Sequence, residues 1–228
     1  MGELKGFFDS FKEFIWDIIG YLIPGLYLIL VLSICIKQEF YSSSDYIGFD
    51  IGLSTFFLIT IGYVLGYVIY GFSWWKESIL GKYSYRERIE KEFQDKTTYK
   101  ICKDLIEKKI KRQDNNQSPI EKMSLRELRN IVMSYIPESD QKIYTFTFRS
   151  ELSNHIGNIS LIIGLVGILS RYMPFLRFFS IMETNKTVTL FYFSLLIAFF
   201  LLRYTRNRFY EISIKIPFSI FLAKENKL

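Results

Sequence analysis

Apolar residues fall in four blocks along the chain, and most charges fall between them. Ile18–Ile36 is an uncharged run of 19 residues closed by Lys37, and Ile51–Trp75 is one of 25 closed by Lys76. At ~1.5 Å per residue, either run reaches across a hydrocarbon core of about 30 Å. A third block is free of charge from Leu152 to Ser170, although it opens on the polar Ser153, Asn154 and His155. The fourth, Thr187–Leu202, has 16 residues and is a little short. Arg203 makes up the length by extending its stem and leaving its guanidinium at the interface. The pattern predicts four transmembrane helices. A secretory signal competes only for the first block. That run exceeds the roughly 7–15 apolar residues of a signal core, and no small-x-small cleavage site follows Ile36.

Between the second and third blocks the pattern changes to short amphipathic pieces. Ser84-Tyr85-Arg86-Glu87 and Ser124-Leu125-Arg126-Glu127 have the spacing of capping boxes, in which hydroxyl and carboxylate satisfy the free amides of a helix start. The first opens a charged helical stretch to about Arg112 with an apolar stripe at Ile89, Phe93, Ile101, Leu105 and Ile110. The polar run Gln113–Pro119 reads as a linker. The second box opens a helix with Leu125, Leu128, Val132 and Tyr135 on one face, ending before Pro137. Helices of about 12–15 residues are marginal alone in water, so these stripes need a partner: the membrane surface, each other or neighbouring subunits. Two stretches alternate with period two, Tyr144/Phe146/Phe148 and Ile212/Ile214/Ile216. Period two favours strands, and the two could pair as a short β-ribbon. The alternative for the first is one long helix from about Ser139 into the third span.

Composition sharpens the class. Of 228 residues, 50% are hydrophobic and 18% aromatic, yet 23% are charged and the net charge is +6. Their segregation excludes a soluble enzyme and a disordered tail. The fold class is an all-α membrane protein with a helical insert between spans two and three. Its parts are residues 1–75 (two spans), 76–154 (a basic helical domain), 155–202 (two spans) and 203–228 (a basic tail). Lys76–Asn154 carries 17 Lys and Arg and the tail six, whereas the loop after the first span has only Lys37. The positive-inside rule therefore puts the insert and both termini in the cytoplasm. Cys35 and Cys102 then lie on opposite sides of the membrane, and no disulfide between them is expected.

Candidate chemistry is sparse. Gly62 and Gly66, four apart, let another backbone approach on one face of span two; Gly157, Gly164 and Gly167 do the same for span three. Such spacing serves packing within the chain or a homo-oligomer interface. Pro24-Gly25 interrupts span one and makes a kink or hinge there. Arg171 and Asp17 sit at span ends, where their charges reach the interface, and no charge lies centrally in any span. That argues against a proton-relay pump and a voltage sensor. His155, the only histidine, reads as a hydrogen-bonded packing residue. Neither a metal site nor a cofactor is expected, and nothing in the spacing forms a catalytic triad or a phosphate loop. Two basic clusters remain: Lys108, Lys109, Lys111 and Arg112, and Arg203, Arg206 and Arg208. The second, directly after a span, suits lipid headgroups at ~1 kcal/mol per charge. The first suits a phosphate-bearing ligand such as a nucleotide, or nucleic acid.

The layout resembles small four-span proteins of bacterial anti-phage defence loci, namely the membrane component of Kiwa-type systems and the four-span effectors of cyclic-oligonucleotide signalling systems. Leu22-Ile23-Pro24-Gly25 in the first span, Gly62-Tyr63-Val64-Leu65-Gly66 in the second, the helical insert and the basic tail carry the resemblance. It implies a role in defence and assigns no residue a function. The expectation is a non-enzymatic, homo-oligomeric protein of the bacterial inner membrane, acting as a sensor or membrane-perturbing effector. Its cytoplasmic domain would receive a partner protein or nucleotide. A constitutive channel or transporter subunit, and a scaffold for a soluble partner, are the alternatives.

Overall fold

A computed structural model describes residues 2–37, 51–81, 84–113, 123–136, 142–173 and 181–225. The run 114–122, which holds most of the expected linker, and the residues around Pro137 lie outside the described residues. So do the side chains of Asp17, Ile110, Lys111 and Arg112. The elements are α1 (Gly2–Cys35), α2 (Ile51–Leu80), α3 (Tyr85–Gln94), α4 (Thr97–Gln113), α5 (Leu125–Ser134), α6 (Lys142–Tyr172) and α7 (Lys186–Glu225). Four of them, α1, α2, α6 and α7, are long and apolar enough to cross a membrane. The chain divides into two compact units. A membrane unit comprises Met1–Lys76 and Glu151–Thr205, and a helical module comprises Glu77–Ser150 and Arg206–Leu228.

In the membrane unit, glycines let helices meet backbone to backbone. A Cβ at Gly25 would strike the carbonyl of Gly62, and one at Gly66 would strike the carbonyl of Tyr21. A Cβ at Gly167 would enter the ring of Tyr192, and one at Gly164 would press on Leu196. These glycines thus join α1 to α2 and α6 to α7 within one chain. Tyr21 stacks on Tyr67 at 3.9 Å between ring centroids, with Tyr63 and Tyr70 edge-on to it. Pro24 is buried, and α1 runs through it without a break. Beyond α1, the backbone of Cys35 and Lys37 pairs with Glu183 and Ile181 at 2.7 and 3.1 Å. Tyr192 donates its hydroxyl proton to the Glu183 carbonyl at 2.8 Å.

The module has a core of its own. Ile89 and Phe93 from α3, Tyr99, Cys102 and Ile106 from α4, and Leu125, Leu128 and Val132 from α5 are buried together. Ile214, Phe218 and Phe221 of α7 complete it. Fully burying such a side chain contributes about 1.5–3 kcal/mol, which explains why the short helices hold. The partner of the amphipathic stripes is therefore each other plus the end of α7.

Three expectations change. Among the described residues there is no strand; 142–150 and 206–225 are helical and the β-ribbon is absent. The reason is a stronger competing period: Tyr210, Ile214, Phe218 and Phe221 recur every three or four residues and meet one apolar face, whereas Ile212 and Ile216 are only half-buried. The tail is accordingly a structural part of the module. Finally, the stretch after Ser84 is two helices. Asp95 caps α3, its amide bonding to Phe93, and the restart at Thr97 resets the phase. The buried face of α4 is Tyr99/Cys102/Ile106, while Ile101 is exposed.

Candidate functional site

Charged and polar side chains gather at two places, one in each unit. In the module, Ser84 and Ser124 fix the starts of α3 and α5. Each hydroxyl accepts from the amide three residues on, and Glu127 completes the reciprocal half of the box at Ser124 with 2.7 Å to its amide. These starts set the positions of Arg86, Glu90, Arg126 and Arg129. Glu90 is buried, and its Oε1 accepts from the Arg126 Nε at 2.9 Å and from the Tyr210 hydroxyl at 2.6 Å. The Arg86 guanidinium lies over the Tyr210 ring, 5.3 Å from its centroid. Arg129, one helical turn from Arg126 on the same side of α5, feels Glu90, Tyr210 and Tyr144. Burial pulls its guanidinium below the ordinary arginine range. Its Nε is sealed from solvent without a hydrogen-bond partner among the described residues. The result is an arginine centre gathered about the carboxylate of Glu90.

In the membrane unit, Ser73, Asn154, His155 and Asn158 are buried together between α2 and α6. Lys76 Nζ donates to Asn158 Oδ1 at 2.7 Å and approaches Asn154 Oδ1 at 3.5 Å. A lysine can only donate, so the Asn158 amide turns its Nδ2 toward Ser73, donating to Oγ at 2.9 Å. Ser73 Oγ and His155 Nδ1, 2.9 Å apart, share a hydrogen bond whose direction follows the imidazole tautomer. Tyr27 and Ser160 hydroxyls pair at 2.8 Å, adding a second polar tie, between α1 and α6. Such bonds fasten helices where lipid gives no hydrophobic drive for association. Ser73, at 3% exposure, is sealed from any substrate.

The residues singled out in the sequence are dispersed. Lys109 is tied to Glu225 at 2.6 Å and lies over the Tyr135 and Phe221 rings. Lys108 is exposed. Arg203 and Arg208 are exposed, with Arg203 over Phe199. Arg206 is buried and paired with Glu77 at 2.8 Å, so it is committed within the protein rather than offered to headgroups. Arg171 donates to the Thr184 carbonyl at 2.7 Å and to Thr189 Oγ1 at 3.0 Å, tying the end of α6 to the start of α7. Gly62, Gly66, Gly164 and Gly167 are consumed by contacts inside the chain. Cys35 and Cys102 are both buried free thiols. Sequence reasoning passed over Glu90, Arg129 and Tyr210. The signal available was a glutamate directly beside the buried Ile89 and two arginines interleaved with the Leu125/Leu128 stripe.

No protein family, curated protein or solved structure matches this chain.

Proposed function

We propose that the protein is a membrane-embedded sensor or membrane-perturbing effector, acting in the bacterial inner membrane in anti-phage defence, with the helical module as the part that receives a signal. The observation that carries this reading is the module's own core. Helices that merely rest on a bilayer have no need to bury Phe93, Ile106, Val132 and Phe218 against one another. A chain that builds a packed module in addition to four apolar spans has a surface on which a ligand or partner protein can act. The excess of Lys and Arg over 76–154 and from Arg203 onward supports a cytoplasmic side for that module and both termini. In this reading the protein works as a homo-oligomer and assembles through surfaces other than its glycine pairs. A signal needs only to bias a helix bundle that has two packings separated by a few kcal/mol.

The test is membrane potential and uptake of an impermeant dye in bacteria expressing the protein, with and without phage challenge. Depolarisation that appears only on challenge is the expected result. Depolarisation without challenge, beyond an overexpression control, would replace the reading with a constitutive pore. An unchanged membrane in both conditions would sink the stand-alone effector and leave a scaffold that needs a second protein.

A further inference from the structure

The arginine centre holds a donor that no described residue accepts from. Glu90 spends one oxygen on both Arg126 and Tyr210. Arg129 stays charged at any physiological pH, because guanidinium does not surrender its proton. Yet its Nε is shut away from water and meets no acceptor among the described residues. A folded protein rarely leaves such a group idle in its interior, and an exception calls for a cause. Arg126 shares its side of α5 and keeps 60% of its side chain in solvent, so its own guanidinium is reachable from outside. A planar fork of guanidinium donors suits a tetrahedral oxyanion, which it grips through two parallel hydrogen bonds.

We propose that Arg129 and Arg126, flanked by Arg86, form a binding site for a phosphoryl group. The binding stands on the arginine geometry; only its use as a signal rests on the function proposed above. Phosphoryl oxygens take the exposed side of Arg126 and, once the Arg129 side chain turns its Nε out of its present enclosure, complete the hydrogen bonding of that residue, while Glu90 and Tyr210 hold the Arg126 guanidinium in place. The group reaches the site from a soluble phosphate compound or from a lipid headgroup. The chemistry at the arginines is the same for both.

Thermal unfolding of the purified full-length chain tests this at constant ionic strength. One arm titrates inorganic pyrophosphate into protein in a non-ionic detergent. The other compares nanodiscs of phosphatidylcholine with nanodiscs containing phosphatidylglycerol. A saturable rise in Tm with pyrophosphate assigns the site to a soluble phosphate, following mass action. A rise confined to the anionic nanodiscs assigns it to a headgroup. Either rise is expected to vanish in Arg129→Met, while the ligand-free variant melts no lower than the native chain, because a sealed donor without an acceptor among the described residues has been removed. A structural arginine would instead leave Arg129→Met less stable. Arg126→Gln, at a largely exposed position, leaves the fold intact and weakens binding roughly tenfold or more. Absence of a saturable response in both arms, or a response that Arg126→Gln leaves unchanged, overturns the proposal.

Discussion

Both units bury apolar side chains, but they differ in what else they hide and in what they expose. The membrane unit hides Ser73, Ser153, Asn154, His155, Asn158, Ser160 and Ser170, and exposes Phe56, Val64, Val68, Trp74, Leu190 and Phe200. The module hides Phe93, Ile106, Leu128, Val132 and Phe218, buries the charges of Glu90 and Arg206 in ion pairs, and leaves its other described charged side chains half-buried or exposed. The difference follows from the surroundings. Water drives apolar groups of the module together, so its core is a hydrophobic one. Hydrocarbon is as apolar as leucine and gives no such drive, so the spans are joined by close backbone approach and hydrogen bonds. Trp74 and Trp75, 69% and 59% exposed just before Lys76, are the residue type that settles at the edge of the hydrocarbon.

The contrast predicts that each unit fails by its own kind of lesion, and the two cysteines report on them separately. Cys102 is buried in the module core and burial pushes its thiol up to about 12, so a thiol reagent reaches the thiolate only when the module opens. Cys35 is buried in the membrane unit. The largest effect is expected from Phe218→Ala. It removes a fully buried ring beside Cys102, whose Sγ donates to the Phe218 carbonyl at 3.5 Å. The cost is about 3–5 kcal/mol, comparable to the whole stability of a small domain. Cys102 should become rapidly labelled while Cys35 stays protected. Equal acceleration at both cysteines would mean that the two units unfold as one, and the comparison would break.

The membrane unit has the complementary weak point. In Gly66→Leu the new side chain meets the backbone of Tyr21 rather than a yielding side chain. Overpacking of this kind costs about 1–3 kcal/mol or more and should expose Cys35, leaving Cys102 protected. Gly71, on the same helix, has open space where its Cβ would go, so Gly71→Leu serves as the control and should leave both labelling rates unchanged. Labelling of Cys35 at the same rate in Gly66→Leu as in Gly71→Leu would show that glycine packing does not hold the spans together.

The same contrast explains what could be read from the sequence. The four spans were legible because uncharged runs of that length have few alternatives. The helix starts at Ser84 and Ser124 were legible because Ser and Glu three apart act locally, although only Ser124 forms the reciprocal box and the Ser84 amide bonds the Gly81 carbonyl instead. Two features were not local. The period-two spacing of Ile212, Ile214 and Ile216 looked like a strand until α3, α4 and α5 supplied an apolar face for Ile214 and Phe218. The arginine centre needs Glu90 from α3, Arg126 and Arg129 from α5 and Tyr210 from α7 at one point, a convergence that no spacing announces. Composition drew the eye instead to Lys108 and Lys109, where charge is dense along the chain; in space Lys109 is already paired.

The smallest effect belongs to the module alone and depends on acid. At the start of α5, Glu127 accepts from the amide of Ser124 and from its hydroxyl, and these bonds hold the carboxyl below its ordinary value of 4.5. A carboxyl depressed by folding contributes stability that is fully present above its unfolded value and lost as pH falls through the folded one. The module should therefore weaken as pH drops below about 4.5, while the ties between the spans described above are made by hydroxyls, amides, an imidazole and a lysine rather than by carboxylates. Glu127→Gln keeps an acceptor at the cap but removes the titrating group. In urea melts followed by far-UV circular dichroism, the acid-dependent loss should be smaller in Glu127→Gln than in the native chain. Identical pH dependence in the two proteins would place the acid sensitivity of the module elsewhere and remove the capping carboxylate from its account.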